Sequence, residues 1–195
     1  MAIVRQGYGV VLVVVDVQVG VMKSAWDGAR VIGNVARAVD RARDHGVPVV
    51  WVQHTDDEDL RRDSAAWQWV PKLQPRPDEA IVHKSFNSAF EDTTLEAVLA
   101  KLGATRIVLA GAATNWCIRS TAYGALDRGY DLTLVKDAHT TETIELEDGT
   151  RIEAARIVDE LNIAMTWLSY PGRANATAKA EDVDYAAPAG VSSSR

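Results

Sequence analysis

The sequence predicts an α/β fold, a three-layer α/β/α sandwich built on a mainly parallel sheet of about six strands. Three observations carry that prediction. Short aliphatic runs such as Val10 to Val15 and Val49 to Val52 are apolar at successive positions, as strands covered on both faces must be. Segments with apolar residues at helical spacing alternate with those runs, which indicates βαβ units. Glycines close several helical segments, a stop signal that keeps the alternation in step. Right-handed crossovers between parallel strands then place helices on both faces of the sheet.

Val10 to Val15 is the first strand, and Asp16-Val17-Gln18 closes it. From Ala29 to His45 the residues Val31, Ile32, Val35, Ala38, Val39 and Ala42 fall on one helical face, and His45-Gly46 ends the helix. Val47 to His54 is the second strand. The polar stretch Thr55 to Asp63 leads into a loop rich in tryptophan and proline (Trp67, Trp69, Pro71, Pro75, Pro77). Ala80 to Lys84 reads as a third strand and Thr94 to Leu102 as a helix. Arg106 to Ala112 is the fourth strand, followed by a helix that carries Cys117 and runs to Arg128, with Gly129 as its stop. Asp131 to Val135 is the fifth strand. A helix from Arg151 to Leu161 and a strand from Ile163 to Leu168 complete the pattern. Residues 1–185 read as a single domain, and the small-residue segment 186–195 as a disordered tail.

A chain of 195 residues, 47% hydrophobic and 25% charged, has the composition of an ordinary globular protein with a sizeable core. Its net charge of −6 argues against a nucleic-acid or membrane-surface partner. The single cysteine cannot form an intramolecular disulfide, so nothing calls for an oxidising compartment. Met1 to Gly7 lacks the layout of a signal peptide, and Val10 to Val15 is too short to span a bilayer. The expectation is a cytoplasmic protein with no nucleic acid and no membrane among its partners.

Open α/β sheets bind ligands beyond the carboxyl ends of their strands. In this chain the first strand ends in Asp16, the third in Lys84, and the turn after the fourth delivers Cys117. A nucleophilic thiol needs a partner to take its proton and return it to a leaving amine, which a carboxylate does. A nearby lysine lowers a thiol pKa, and so does the positive end of a helix. Each residue also has an ordinary account: an Asx turn for Asp16, a solvated strand-end charge for Lys84, an inert buried thiol for Cys117. Three coincident strand ends are harder to assign to such accounts than any one of them.

The segments Val13-Val14-Val15-Asp16-Val17-Gln18, Lys84 with Ser88-Ala89-Phe90 and Thr94-Leu95, and Gly111-Ala112-Ala113-Thr114-Asn115-Trp116-Cys117 form one ordered set. Thr121-Ala122 and Lys136-Asp137-Ala138 continue it. Together, over roughly residues 8 to 168, they resemble the isochorismatase-like cysteine hydrolases, a Rossmann-like superfamily that includes nicotinamidases and N-carbamoylsarcosine amidohydrolase. The resemblance implies Cys117 as nucleophile, Asp16 as general base and then acid, and Lys84 as electrostatic orienter. It also implies a cis peptide between Ala112 and Ala113, with the backbone N–H groups of Ala113 and Cys117 forming an oxyanion hole. The implied reaction is hydrolysis of an amide, lactam or ureido C–N bond in a small molecule through a thioester-type intermediate, with no cofactor. Isochorismatase itself cleaves a vinyl ether and lacks the cysteine, so Cys117 favours amide-type chemistry. The superfamily resemblance further implies a homo-oligomer, a dimer or tetramer.

Nicotinamidases carry Asp-x-His and a further His after the second strand as metal ligands, whereas this chain has Gln53-His54-Thr55-Asp56. A His54/Asp56 pair falls short of the usual ligand count, so no metal is expected. Gln18, His54, Trp67, Phe86 and Trp116 are the candidate substrate-binding residues. Asp56 to Asp59 form either a solvated face or an attraction for a cationic substrate. Trp167-Leu168-Ser169-Tyr170-Pro171-Gly172 resembles a subgroup that includes streptothricin hydrolase. A non-catalytic small-molecule or partner-binding protein on the same scaffold is the competing reading. A nucleotide-binding domain has no support, because no strand is followed by G-x-G-x-x-G or a P-loop.

Overall fold

The computed structural model describes residues 9–186. Its central strand, β1 (Gly9–Val15), is buried at every position after Gly9. Successive side chains of a strand point to opposite faces, so Val11, Val13 and Val15 enter one core layer and Val10, Leu12 and Val14 the other. After the single turn α1 (Val19–Met22), helix α2 (Gly28–Asp44) lays Val31, Val35, Ala38, Val39 and Ala42 on the second of these faces. Strand β2 (Val49–His54) pairs in parallel with β1, and β3 (Ala80–Lys84) with β2. Helix α3 (Leu95–Lys101) then carries the chain back across to β4 (Ala104–Ala112), which pairs with the other side of β1.

A π-helical turn (Thr114–Ile118) leads into α4 (Arg119–Asp127), and β5 (Asp131–Thr140) lies beside β4. The short strands β6 (Ile144–Glu145) and β7 (Arg151–Ile152) form an antiparallel hairpin. Helix α5 (Ala154–Trp167) and strand β8 (Asn175–Ala178) follow. The sheet has six parallel strands in the order β3-β2-β1-β4-β5-β8. Leu95 and Leu99 of α3, Ala122 and Leu126 of α4, and Leu161 and Met165 of α5 fill the face opposite α2. This is the three-layer α/β/α sandwich that the alternation of elements predicts. Sheet growth reverses direction between β1 and β4, and that switch point is where such sheets open a crevice at their carboxyl edge.

The sixth strand is not where the apolar run Ile163 to Leu168 puts it. That run is the end of α5, and burial shows why: Met165 is inaccessible, whereas Ile163 and Trp167 are 60% and 81% exposed. A strand would have aimed all three at one face; a helix separates them. Short apolar runs fit either periodicity, and the length of the amphipathic segment decides. The α5 helix begins at Ala154, since Arg151 and Ile152 belong to the hairpin. The sixth strand is instead the inconspicuous Asn175–Ala178, held in register with Leu132 to Val135. Strand β5 runs five residues beyond the expected Val135, to Thr140, through a register shift that brings His139 opposite Gly111.

After β8, Ala180, Val183 and Tyr185 pack against the α2 face. The Tyr185 hydroxyl donates to the Ala38 carbonyl at 2.8 Å, and Arg41 and Arg106 donate to the carbonyls of Val183 and Asp184. The expected tail, 186–195, lies outside the described residues except for Ala186. Among the described residues no helix is long and apolar enough to cross a membrane.

The approach of β1 to β4 leaves no room at Gly111. Its φ is 128°, and a Cβ there would lie 2.0 Å from the Val15 carbonyl oxygen. Gly111→Ala is expected to lower the unfolding free energy by about 3 kcal/mol or more, read from urea denaturation. A loss under about 1 kcal/mol would show that this strand pair relaxes freely.

Candidate active site

Three strand ends build the site. The Asp16 backbone is left-handed, with φ 51°, a conformation that aspartate tolerates better than most residues. Its N–H donates to the Val52 carbonyl at 2.9 Å, which ties the end of β1 to β2. Lys84, the last residue of β3, is buried, and its Nζ lies 2.7 Å from Asp16 Oδ2 and 3.2 Å from Cys117 Sγ. The same Nζ is 3.0 Å from His54 Nδ1 and 3.1 Å from the Phe86 carbonyl oxygen. An ammonium removed from water needs such partners to remain charged. Cys117 is buried, and it is the free cysteine of the chain.

The backbone that carries the thiol has an unusual hydrogen-bond pattern. The Ala112–Ala113 peptide is cis, and Ala113 is extended at φ −93° and ψ 146°. The Ile118 N–H then reaches back five residues to the Ala113 carbonyl at 3.1 Å, and the Trp116 N–H takes the same oxygen at 3.1 Å. In an α-helix that carbonyl would belong to the N–H of Cys117, four residues on. Among the described residues no acceptor engages the N–H of Ala113, and the N–H of Cys117 does not take the Ala113 carbonyl.

The electrostatics correct one expectation. Burial opposes the charge on Lys84, but Asp16 and Cys117 facing it outweigh burial, and its pKa sits above the usual lysine value. Burial and the neighbouring Asp16 carboxylate push the Cys117 thiol up to about 12, with Lys84 pulling the other way. The sequence reading had the helix end and the lysine lowering it. Desolvation wins because the sulfur sits inside the first core layer and not at an exposed helix end. This favours the protonated thiol at Cys117. Asp16 Oδ1 is buried and has no hydrogen-bond partner among the described residues, an open acceptor in the same enclosure.

The candidate binding residues divide. Gln18 is buried with its amide consumed: Oε1 accepts the His54 N–H at 2.9 Å, and Nε2 donates to the carbonyls of His54 and Trp67. It fastens the β1 and β2 ends to the tryptophan loop and has no group left for a ligand. Trp67 donates its indole N–H to Thr55 Oγ1 and stacks on His83, so it packs under the loop. His54 is half-buried against Lys84, and burial together with the lysine charge lowers its pKa below 6.5. Phe86 edges a small cleft of about 180 Å³ that reaches Lys84. Trp116, more than half exposed, lines a larger cleft of about 510 Å³ with Ala112, Ala113, Asp56, Asp59 and Glu142. Asp56 Oδ1 accepts the N–H groups of Glu58 and Leu60, so that carboxylate also shapes its loop. Among the described residues no cluster of three or more His, Cys, Asp or Glu side chains is placed to hold a metal ion.

Sequence reasoning missed three contributors. Asn87 Oδ1 lies 4.0 Å from Sγ, on the loop after β3. Thr121 Oγ1 accepts the Ala89 N–H at 3.0 Å and pins that loop to α4. His139, fully buried, joins Thr114 Oγ1 through Nδ1 at 2.9 Å and Asn162 Oδ1 through Nε2 at 3.0 Å. An acceptor on Nε2 places the ring proton there, so Nδ1 accepts the threonine hydroxyl. This chain of bonds anchors the first residue of the π turn to β5 and α5. Its only signal in the sequence is a lone histidine four residues past the expected end of the fifth strand.

The Isochorismatase domain family model matches residues 10–167. A streptothricin hydrolase of Streptomyces noursei is 34% identical over 145 residues, which cover 71% of this chain and 57% of that enzyme. Matches to the two streptothricin hydrolases thus span only about half of their length, 57% and 50%. A protein of Arabidopsis thaliana named a probable inactive nicotinamidase is 30% identical over 181 residues, 79% of this chain and 89% of its own. Among solved structures, an isochorismatase from Pseudomonas putida KT2440 is similar with a TM-score of 0.79 at 27% identity, covering 88% of each chain.

Burial holds His139 neutral, with its pKa lowered to about 4. The unfolded chain takes up this proton near pH 6.5 and the folded chain only near 4, so stability contributed by the neutral ring is lost as pH falls between them. Unfolding free energy is expected to drop by up to about 1.4 kcal/mol per pH unit in that window, and His139→Gln to flatten the slope correspondingly. Denaturant titrations at a series of pH values read the difference; equal slopes in both proteins would contradict it.

Proposed function

The chain belongs to the isochorismatase family, and on that premise we propose that it is a cysteine hydrolase that cleaves a C–N bond of a small amide, lactam or ureido compound. One observation carries the reading: residues 16, 84 and 117, far apart in sequence, meet with Lys84 Nζ within 3.2 Å of both the Asp16 carboxylate and the Cys117 sulfur. In this reaction Sγ attacks the substrate carbonyl carbon while its proton passes to the Asp16 carboxylate. The negative charge that develops on oxygen takes the N–H groups of Ala113, which has no acceptor, and of Cys117, which the π turn frees from the Ala113 carbonyl. The C–N bond then breaks as the Asp16 carboxyl returns the proton to the departing nitrogen, leaving a thioester or thiocarbamate on Cys117. Water, deprotonated by Asp16, attacks that carbon, and the sulfur leaves and recovers its proton.

Lys84 has no proton to give in this scheme. Its charge pairs with the Asp16 carboxylate and steadies the sulfur when it becomes negative. The raised thiol pKa is consistent with a concerted transfer to Asp16, because a thiol at about 12 supplies little free thiolate at neutral pH. No step is assigned to a metal. The substrate would enter by the Trp116 cleft, which opens on Ala113. The same raised pKa also suits a non-catalytic binding protein; the unpartnered Asp16 Oδ1 speaks for catalysis, since a binder has no use for an open buried acceptor.

Screening ammonia or amine release across amides, lactams and ureido compounds tests the proposal. Cys117→Ala is expected to abolish release with an unchanged fold by circular dichroism. Asp16→Asn and Lys84→Met are expected to lower kcat/KM by about 10³-fold or more. Full activity in Cys117→Ala would refute the assignment.

A further inference from the structure

The proton inventory around Lys84 does not balance. Its ammonium has three N–H donors, yet four acceptor atoms lie within 3.2 Å: Asp16 Oδ2, His54 Nδ1, the Phe86 carbonyl oxygen and Cys117 Sγ. Asp16 is the closest and is charged, and the Phe86 oxygen belongs to the backbone and cannot be withdrawn. His54 and the sulfur compete for the third N–H. While the thiol is protonated the sulfur is a weak acceptor, and a neutral imidazole nitrogen is the better one. When the sulfur becomes negative the order reverses, because a charge-assisted bond is roughly twice as strong.

We propose that His54 is a positioning residue, with its ring proton on Nε2 and its Nδ1 holding the third N–H of Lys84 until the thiolate forms and takes it. The proposal rests on the catalytic grouping above and adds a role for a side chain that never touches the reacting atoms. The step involves no bond change at lysine: its C–N bond rotates, one N–H turns from Nδ1 to Sγ, and the proton that left Sγ resides on Asp16. Protonating His54 has the same outcome as removing it, since an imidazolium Nδ1–H cannot accept from an ammonium. Lys84 of β3, Asp16 after β1 and Asp56 after β2 are the charges that face the ring. Burial and Lys84 lower its affinity for a proton, and Asp16 and Asp56 oppose them.

The test uses the intact chain and needs no substrate. In ¹⁵N-histidine-labelled protein, Nδ1 of His54 is expected to resonate as an unprotonated acceptor and Nε2 as N–H, with titration below pH 6.5. The His54→Asn spectrum assigns the signal among the four histidines. Iodoacetamide alkylation of Cys117, the single cysteine, gives the second readout. His54→Leu, which offers no acceptor, is expected to react about threefold faster than the native protein at pH 8, as a thiol pKa lowered by about one unit produces after the loss in nucleophilicity is included. His54→Asn keeps an acceptor near the Nδ1 position and is expected to react at the native rate. A neutral ring protonated on Nδ1, or His54→Leu reacting no faster than His54→Asn, overturns the proposal; the first result stands even if a variant fails to fold. Lys84→Met should slow alkylation, and Asp16→Asn should change its rate. If neither changes the rate, the catalytic grouping itself fails; if both do and the His54 results go the other way, only the role of His54 falls.

Discussion

The buried ion pair between Lys84 and Asp16 is the interaction on which the rest of the site depends. Two charges are taken out of water, and removing either would strand the other at a cost of about 3–5 kcal/mol. The pair is made from the ends of β1 and β3, which do not touch each other in the sheet, so it spans β2 and fixes both strand ends to one point. Cys117 from the far side of β1 and His54 from β2 then meet the same ammonium. An ion pair of this kind is a weak source of stability compared with apolar packing. What it supplies is position: four elements share one charged atom.

The sheet supplies the second constraint. Val15 and Gly111 lie in register where β1 and β4 separate, and a left-handed Asp16 and a side-chain-free Gly111 are what allow the two strands to remain paired up to the point of departure. Beyond it the chain widens into a π turn instead of starting an α-helix. One extra residue in that turn reassigns a single carbonyl from the N–H of Cys117 to that of Ile118, and the Ala113 N–H is left without an acceptor. The Thr114–His139–Asn162 chain holds this turn from behind, running from the buried Thr114 and His139 to the partly exposed Asn162.

Much of this was legible in the sequence, for physical reasons. Val10 to Val15 is β-branched at every position but Leu12, which favours a strand covered on both faces, and Asp16, Lys84 and Cys117 each sit where such strands end. What was not legible depends on tertiary context. Asn175–Ala178 has almost no intrinsic strand signal and is a strand because β5 offers it an unpaired edge. Ile163 to Leu168 has that signal and is helical because only one side of it meets the core. Gln18 looks like a ligand-facing amide beside Asp16, but its partners are carbonyls that come from distant loops. The protonation state of Cys117 follows from how deeply the sulfur is set, and local sequence carries no record of depth.

The closing segment has a consequence for synthesis. Ribosomes deliver a chain from its amino end, yet α2 is sealed by Val183 and Tyr185, and the β5 edge by β8, all among the last residues described. Until these emerge, an apolar helix face formed early and a bare strand edge stay open to other chains. Completion of this fold therefore waits until β8 and Tyr185 have left the exit tunnel, and a nascent chain paused before residue 175 displays the two surfaces that chaperones and aggregates both recognise.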